Sequence, residues 1–447
     1  MHLFHRRLVS AAALLLLASI TGDALADDKR PAQDYGRPKE GTTVGDVLAW
    51  PARVVLFPLF LINEFILRRP LGFLVTTVEK HRVIETVQDF FTFGPRNEVT
   101  IYPSALFDFG LLPSVGFNLS WAHFLAEDNS LKVHFGTWGF GWINAKLSDT
   151  YDFSKNEHLT LNAELIRRRD NPYFGTGTFS DTSDWTRFGA QTLNVAPTYQ
   201  RDLWRESTFT TTAGVRGLDF FEGTCCDEPA LETAIARSQL PIPNGYQRSY
   251  LGGYQRVAVA LDSRRPRPAP GSGLRVEAHE ETMFDLAAHQ GEQHRSWIKW
   301  GGSIGGALDL NGYQRVLGLT VRTEFADPIQ GEVPFTDLAS LGGDDVMPGF
   351  IRNRMIDRSS AAATLQYTWP VWVFLDGVLT ASMGNVWGEH LNNFKIQDSR
   401  LAAGVGVRSN GDRDSGFELL VGAGTDPLSE GLGITSFRFL LGSHHGL

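Results

Sequence analysis

The stretch LGGDDVMPGFIRNRMIDR, from Leu341 to Arg358, decides how the rest of the chain is interpreted. It is polar and contains three glycines and one proline, whereas the flanking segments Tyr313–Ala326 and Asp357–Pro370 alternate apolar and polar residues. Alternation with a period of two is typical of β-strands. We therefore predict a long loop at one rim of a membrane β-barrel, and we expect this loop, 327–356, to fold back into the lumen.

Apolar and polar positions alternate along most of the chain after residue 97. In Arg295–Leu310, Ile298 and Ile304 fall on one face, and Lys299 and Ser303 fall on the other. A barrel wall requires one lipid-like face and one polar face. A water-soluble β-sandwich shows the same period, but many of these segments reach the length of about 10 residues that crosses a bilayer at a tilt. The pattern therefore favours a membrane barrel.

We predict an all-β transmembrane fold: a 16-stranded antiparallel outer-membrane β-barrel, occupying 98–447, with a short N-terminal helical segment. An even number of strands lets an antiparallel wall close without an unpaired edge in lipid. Short turns, including the hairpin signal Asn311-Gly312, would lie on one side, and the long connections 168–186, 220–251 and 327–355 on the other. The predicted strands are 98–108, 111–121, 130–138, 140–149, 156–167, 187–201, 205–219, 252–262, 272–283, 293–310, 313–326, 356–370, 373–387, 397–409, 413–424 and 432–441.

Pro103 lies inside the first predicted strand. Proline has no backbone N–H, so it is tolerated at the edge of a sheet rather than in its middle. Because the first strand meets the last at the barrel seam, Pro103 indicates either a weakly paired seam or a bulge that merely bends the strand.

Residues 1–26 have the features of an export signal. Basic residues precede the apolar run Leu8–Ile20, and Ala24-Leu25-Ala26 matches a small-x-small cleavage site. The run is too short for a membrane anchor, which needs about 20 apolar residues. We therefore expect export, cleavage after Ala26 and delivery to the cell outer membrane.

Residues 27–97 comprise a polar leader followed by the helical segment Thr43–Phe91. Prolines and charged residues interrupt its apolar part, so we expect amphipathic periplasmic helices rather than a transmembrane helix. These helices would lie on the membrane surface, pack against the barrel base, or bind a second copy or a periplasmic partner. Ordinary helical packing without a partner fits the pattern equally well.

Composition and motifs argue against catalysis and nucleic-acid binding. The net charge is −9, and Lys and Arg are scattered without a basic stripe among aromatic residues. No Gly-x-Ser-x-Gly motif occurs, and the adjacent pair Cys225-Cys226 has no histidine nearby to complete a metal site. We expect these two thiols to be free or joined as a vicinal disulfide. The sequence predicts no enzyme, no metal and no cofactor.

Four stretches resemble motifs of one protein family. The first is Leu261-Asp262-Ser263-Arg264, followed by Pro270 and Gly273, and the second is Leu341-Gly342-Gly343, followed by Gly349-Phe350 and Asp357. The others are 404–408 with 424–428, and the weaker match Asn171–Gly177. Together they resemble the BamA/TamA superfamily of outer-membrane assembly factors, also called the bacterial surface antigen family. The resemblance covers about 171–447.

The resemblance implies that the loop between the eleventh and twelfth strands organises the lumen, and that the Asp262 motif forms a periplasmic turn. The implied turn residues are Asp262, Arg264, Pro270 and Gly273. The implied loop residues are Gly342, Gly343, Met347, Pro348, Gly349, Phe350, Arg352 and Arg354, facing the wall positions Ser382, Gly384 and Asp376.

The sequence departs from the family pattern at the loop and at the front of the chain. The family places an Arg before the Gly-Phe pair, where this chain has Pro348, and pairs it with an Asp, where this chain has Ser382. Both halves of that ion pair are absent together, as the cost of burying one unpaired charge requires. Arg352 or Arg354 could substitute, with Asp376 or Glu324 as partner. The stretch 27–97 is also too short for the family's repeated periplasmic (POTRA) domains.

The resemblance implies a role in inserting or translocating outer-membrane proteins or lipids, or in membrane remodelling. Lipopolysaccharide and phospholipid are the partners that such a barrel implies. A homodimer or a periplasmic partner, bound through Thr43–Phe91, is the protein partner that we consider. A passive channel or a structural barrel, perhaps dimeric, is the alternative.

Overall fold

A computed structural model of the protein describes residues 90–264, 271–286, 294–310, 314–343, 346–372, 375–409 and 416–444. These residues form sixteen long antiparallel strands, and the last strand pairs with the first, so the sheet closes into a barrel. The closed, 16-stranded antiparallel β-barrel is therefore confirmed, whereas the short N-terminal helical segment remains a prediction. The strands are β1 Val99–Asp108, β2 Ser114–Ala122, β3 Asn129–Thr137, β4 Trp142–Ser154, β5 Glu157–Tyr173, β6 Thr186–Asp202, β7 Thr208–Phe221, β8 Tyr250–Asp262, β9 Gly273–Asp285, β10 Ser296–Asp309, β11 Val316–Gln330, β12 Ser359–Trp372, β13 Leu375–Trp387, β14 Arg400–Ser409, β15 Gly416–Pro427 and β16 Ile434–His444.

Alternation along each strand separates the lipid-like surface from the lumen. In β10, Ile304 and Leu308 are exposed on the outer surface. Lys299, of opposite parity, faces the lumen and forms a 3.4 Å ion pair with Glu324 of β11. A charged pair inside and aliphatic side chains outside are the arrangement expected of a membrane barrel.

The connections divide between the two rims as predicted. We call the rim where β1 begins and β16 ends the termini rim, and the opposite one the loop rim. The termini rim carries the short connections, such as 155–156 and 203–207. The loop rim carries the long ones, 174–185, 222–249 and 331–358, together with 388–399.

The seam between β16 and β1 is the shortest junction of the described wall. Only three register pairs join the two strands: Leu440 with Asp108, Leu441 with Phe107, and Gly442 with Leu106. On its other side, β1 pairs with β2 continuously from Val99 to Leu106. Among the described residues, the part of β1 before Leu106 has no register partner in β16, and Val99 and Thr100 pair instead with the two-residue strand Thr92–Phe93.

Pro103 lies in this part of β1. Phe109 donates its N–H to the carbonyl of Phe439 in β16, and backbone groups alternate in direction along a strand, so the nitrogen of Pro103 faces the seam side. The missing donor thus falls in a stretch of β1 for which the described part of β16 has no register partner. This agrees with a weakly paired seam rather than with a bulge, because β1 keeps its register with β2 through Pro103.

Several predicted boundaries were wrong. Strand β5 continues to Tyr173 and β11 to Gln330. Where a barrel strand extends beyond the lipid, both of its faces meet protein or water, so apolar and polar residues no longer alternate and the sequence does not mark the strand end. Leu310 donates its N–H to the carbonyl of Arg315, so the β10–β11 connection is longer than a two-residue hairpin; Asn311 and Gly312 themselves lie outside the described residues.

The predicted export signal 1–26 and nearly all of the helical segment Thr43–Phe91 also lie outside the described residues, and remain predictions. Within the described residues, no helix is both long and apolar enough to cross a membrane. Cys225 and Cys226 are joined to each other by a disulfide, one of the two states expected.

Candidate functional site

The segment 331–358, called the insert from here on, leaves β11 at the loop rim and folds into the lumen. It begins with a 3-10 turn, Phe335–Asp337, and closes on itself where Ala339–Leu341 pairs with Met355–Asp357. Met347, Phe350 and Met355 within it are completely buried. A polar, glycine-containing loop that buries these side chains must be packed against the wall.

An aromatic cluster packs in the lumen near the loop rim. The ring of Phe335 in the insert lies 5.3 Å from Tyr173, 5.1 Å from Phe188, and 6.0 Å from both Phe220 and Tyr246. The outer loop, 222–249, contributes to the same core through a short helix, α1 (Leu231–Ala236), whose Leu231 and Ala234 are buried. Two loop-rim segments, the insert and the outer loop, thus share one apolar core with the wall.

The tip of the insert, Gly349 and Phe350, contacts β15 and β16, the last two strands before the seam. A Cβ at Gly349 would lie 1.9 Å from the carbonyl oxygen of Ala423 in β15, so only glycine fits at this approach. The ring of Phe350 covers Gly424, also in β15. Ser436 of β16 donates its hydroxyl to the carbonyl of Gly349 at 2.8 Å. The Gly-Phe pair therefore couples the insert to β15 and β16.

Two further glycines shape the turn before the tip. Gly342 and Gly343 have φ values of 110° and 114°, which L side chains rarely adopt. A Cβ at Gly342 would also lie 2.2 Å from the carbonyl oxygen of Ile351. Gly343 donates its N–H to the carbonyl of Phe350 at 3.0 Å, which closes the loop around the tip.

Arg354 anchors the returning half of the insert, but not to the partners that we expected. Its guanidinium donates to the hydroxyl and the carbonyl of Ser180 at 2.9 and 3.0 Å, and lies over the ring of Phe174 at 4.4 Å. Arg400 donates to the same carbonyl at 2.7 Å. Burial and the neighbouring Arg400 lower the pKa of Arg354 to about 9, so it stays protonated at neutral pH.

The expected pairing of Arg354 with Asp376 or Glu324 was wrong. Glu324 binds Lys299 within the wall, and Asp376 lies at the start of β13, in register with Arg408 at the termini rim. Arg354 lies at the other end of the lumen, where backbone and hydroxyl oxygens, rather than a carboxylate, take its hydrogen bonds.

The remaining predicted wall positions lie in the lumen but bond to other groups. Ser382 shares a 3.0 Å hydrogen bond with Thr364 of β12. Gly384 lies against the backbone of Ala361 and Ala362. Arg352 is exposed at the surface of the insert. The roles of these residues remain predictions.

The Asn171–Gly177 motif leads into a second segment that crosses the lumen, the crossing loop 174–185. Gly177 donates its N–H to the carbonyl of Ile356 in the insert at 3.0 Å. Thr178 donates its hydroxyl to the carbonyl of Val386, and Asn385 donates its amide to the carbonyl of Thr178. The crossing loop therefore joins β5 to β13 on the far wall. Sequence reasoning noted the motif, but missed Thr178 and Ser180.

The entering half of the insert has its own anchor, which the sequence did not reveal. Asp337 accepts a 3.0 Å hydrogen bond from the hydroxyl of Tyr250 and lies 3.8 Å from Arg216. Arg216 also forms a 2.9 Å ion pair with Glu281 of β9. These partners are far apart in the sequence and have no motif that identifies them.

The Asp262 motif forms a compact turn at the termini rim. The carboxylate of Asp262 is fully buried and accepts hydrogen bonds from the backbone N–H of Arg264 at 2.9 Å and from its guanidinium at 2.6 Å. Arg275 approaches the same carboxylate at 3.2 Å. Gly273 begins β9 beside this turn, and Pro270 lies outside the described residues.

A buried ion pair spans the seam at its loop-rim end. Arg438 of β16 donates Nε and Nη2 to the two carboxylate oxygens of Asp108 in β1, at 2.8 and 2.6 Å. Both side chains are buried, at 3% and 9% exposure. The adjacent turn is held by Arg187, which donates to the carbonyl of Gly110 at 2.7 Å and to Glu228 of the outer loop. The seam is thus fixed at the loop rim and short at the termini rim.

One group of potential metal ligands lies at the loop rim. Donor atoms of Asp327, Glu389 and His390 lie within 4.8 Å of one another. However, Arg358 donates to Asp327 at 2.9 Å and to Glu389 at 3.1 Å, so an arginine already compensates both carboxylates.

Comparisons with known proteins show the fold. No protein-family model matches the chain, and no curated protein matches it. The solved barrel of BamA from Haemophilus ducreyi, lacking POTRA domains 1–3, superposes with a TM-score of 0.53 at 14% identity, covering 77% of this chain and 70% of that one.

Two other solved structures are less similar. CdiB from Acinetobacter baumannii gives a TM-score of 0.46 at 11% identity, over 77% of this chain and 60% of that one. OccK11 from Pseudomonas aeruginosa gives 0.33 at 10% identity, over 77% and 94%. The likeness to the BamA structure, at 14% identity, describes architecture alone.

Proposed function

We propose that this protein is an outer-membrane barrel that assists insertion or translocation of proteins or lipids, or remodels the membrane, by opening its wall at the β1–β16 seam. The observation that carries the proposal is the asymmetry of that junction. Three register pairs and one buried ion pair hold it near the loop rim, while Pro103 and the preceding residues of β1 have no register partner in the described part of β16. A wall built in this way separates first at the termini rim.

The contents of the lumen support this function over that of a passive channel. The insert and the outer loop share an apolar core with the wall, so solute would have to displace buried aromatic side chains such as Phe335. The insert tip also contacts β15 and β16. Movement of the insert would therefore displace β16, one of the two seam strands. We expect closed or flickering conductance in planar bilayers; large, stable currents would favour the channel alternative.

A reversible crosslink tests seam opening directly. Leu106 and Gly442 face each other across the seam in a pair whose Leu106 backbone groups point to β2, and such pairs have the close Cα spacing that a disulfide needs. We would introduce Leu106→Cys and Gly442→Cys in a background with Cys225→Ser and Cys226→Ser. The control places Ser130→Cys and Thr150→Cys across the β3–β4 junction of the same background.

The readout is the rate at which an unfolded outer-membrane β-barrel polypeptide inserts into vesicles that contain the purified protein. We expect the unlocked protein to accelerate insertion, oxidation of the seam pair to abolish the acceleration, and a reductant to restore it. The control crosslink should leave the rate unchanged. Equal rates with the seam locked and open would contradict the proposal.

A further inference from the structure

The outer surface of β5–β8, near the loop rim, carries a polar row directly beside an apolar row. Strand register places Arg167 opposite Gln191, and Gln191 opposite Asp219. One pleat further from the loop rim, Leu193 lies opposite Gly217, which in turn lies opposite Leu251. Leu193 and Leu251 are 49% and 46% exposed, as expected of side chains on the outward face.

Gly217 leaves a notch in the apolar row. A groove of about 300 Å³ lies here, lined by Leu193, Gly217 and Leu251 on the membrane side and by Gln191 and Asp219 on the rim side. A Cβ at Gly217 would have no neighbour closer than 3.6 Å, so the backbone does not require glycine at this position. The missing side chain is what leaves the groove open.

Arg167 lies beside the groove, where it contacts Gln191, one of the lining residues. The side chain reaches across β6 and lies 4.0 Å above the ring of Phe221 in β7. Its Nη1 donates to Gln191 at 2.8 Å, and its Nε donates to the carbonyl of Phe140 at 3.2 Å. Contacts with β6, β7 and the turn after β3 fix this cation on the loop-rim side of the groove.

The groove offers one carboxylate beside an apolar slot, and the guanidinium of Arg167 lies next to it on the rim side. Asp219 lies in the same polar row as Arg167 and accepts a hydrogen bond from Ser249. A guanidinium matches a phosphate, a carboxylate matches a primary ammonium, and an apolar slot in a membrane wall matches an acyl chain. Two other headgroups fit less well. A purely anionic headgroup would be repelled by the carboxylate of Asp219, and a quaternary ammonium has no N–H to donate to that carboxylate.

We infer that this groove binds a glycerophospholipid with a phosphoethanolamine headgroup: the phosphate on Arg167, the ammonium on Asp219, and one acyl chain in the notch at Gly217. The site lies on the outer wall, away from the lumen and the seam. It does not depend on the proposed function.

Native mass spectrometry of the purified barrel, equilibrated with equimolar ethanolamine, choline and glycerol phospholipids of matched acyl chains, tests the inference. We expect the wild-type protein to retain the ethanolamine lipid several-fold over the other two. Gly217→Leu should fill the notch and reduce retention to background. The control Gly306→Leu changes another outward glycine, where a Cβ would lie 3.5 Å from Leu274, and should retain lipid normally.

Two charge variants separate the headgroup contacts. Asp219→Asn should abolish the preference for ethanolamine over choline lipid, and Arg167→Gln should lower the retention of both, with Arg167→Lys restoring part of it. Heat-modified mobility on gels confirms that each variant folds. Equal retention of the three lipids by the wild type, preference for the glycerol lipid, displacement of the ethanolamine lipid by added lipopolysaccharide, or unchanged retention in Gly217→Leu would each overturn the inference.

Discussion

Breaking the Arg438–Asp108 pair is expected to weaken the seam more than any single wall substitution outside it. Removing one partner of a buried ion pair typically costs about 3–5 kcal/mol, because the other charge stays buried without compensation. The three register pairs at this junction contribute backbone hydrogen bonds worth about 1 kcal/mol each, or about 3 kcal/mol together. The ion pair is therefore comparable to the whole ladder, and Asp108→Asn or Arg438→Met should remove about half of what holds the seam.

The assay is urea-induced unfolding in lipid vesicles, followed by tryptophan fluorescence, for both single variants and for the double variant Asp108→Leu/Arg438→Met. We expect each single variant to lose about 3–5 kcal/mol and the double variant to recover most of it, because a well-packed apolar replacement leaves no buried charge. Glu324→Gln serves as the control: it removes a looser lumenal pair, at 3.4 Å with both side chains partly exposed, and should cost about 1 kcal/mol or less. Single variants within about 1 kcal/mol of the wild type would refute this account of the seam.

The other predictions concern the insert, and unfolding in vesicles measures them all. Gly349→Ala should destabilise the barrel by more than about 2 kcal/mol, because the new methyl would overlap the carbonyl of Ala423, whereas Gly388→Ala, with nothing within 4 Å of its Cβ, should be nearly neutral; equal effects would show that the tip does not touch β15. Phe350→Ala should cost about 3–5 kcal/mol, as expected for a fully buried ring, and a cost below about 1 kcal/mol would place this ring outside the packed lumen. Arg354→Met should change stability by less than about 1 kcal/mol, since the lost hydrogen bonds to Ser180 are offset by the relief of a buried charge beside Arg400; a loss of several kcal/mol would mean that its buried charge is compensated better than these contacts indicate.

Side-chain period predicted the wall because it is a local property of the sequence, whereas the hairpin signal Asn311-Gly312 predicted too short a connection. Sixteen alternating segments corresponded to sixteen strands, and the polar stretch Leu341–Arg358 corresponded to the segment that folds inward. Strand ends were less predictable, because β5 and β11 continue above the membrane, where alternation no longer follows a lipid face.

The contacts that organise the lumen were not predictable, because they join distant parts of the chain. Arg354 and Ser180 are 174 residues apart, and Arg438 and Asp108 are 330 residues apart. Nothing local distinguishes Ser180 from other loop serines, or Asp108 from other carboxylates at strand ends. Chemical reasoning therefore assigned a carboxylate partner to Arg354, while the fold supplied a carbonyl and a hydroxyl.

Amide hydrogen exchange in lipid nanodiscs tests the central claim most directly, because it measures every strand junction in one experiment. If the seam is the place where the wall opens, the amides of β1 and β16 should exchange much faster than those of β3 to β14, with the fastest exchange in the half of β1 that contains Pro103. Uniform protection around the barrel, with β1 and β16 as slow as their neighbours, would contradict it.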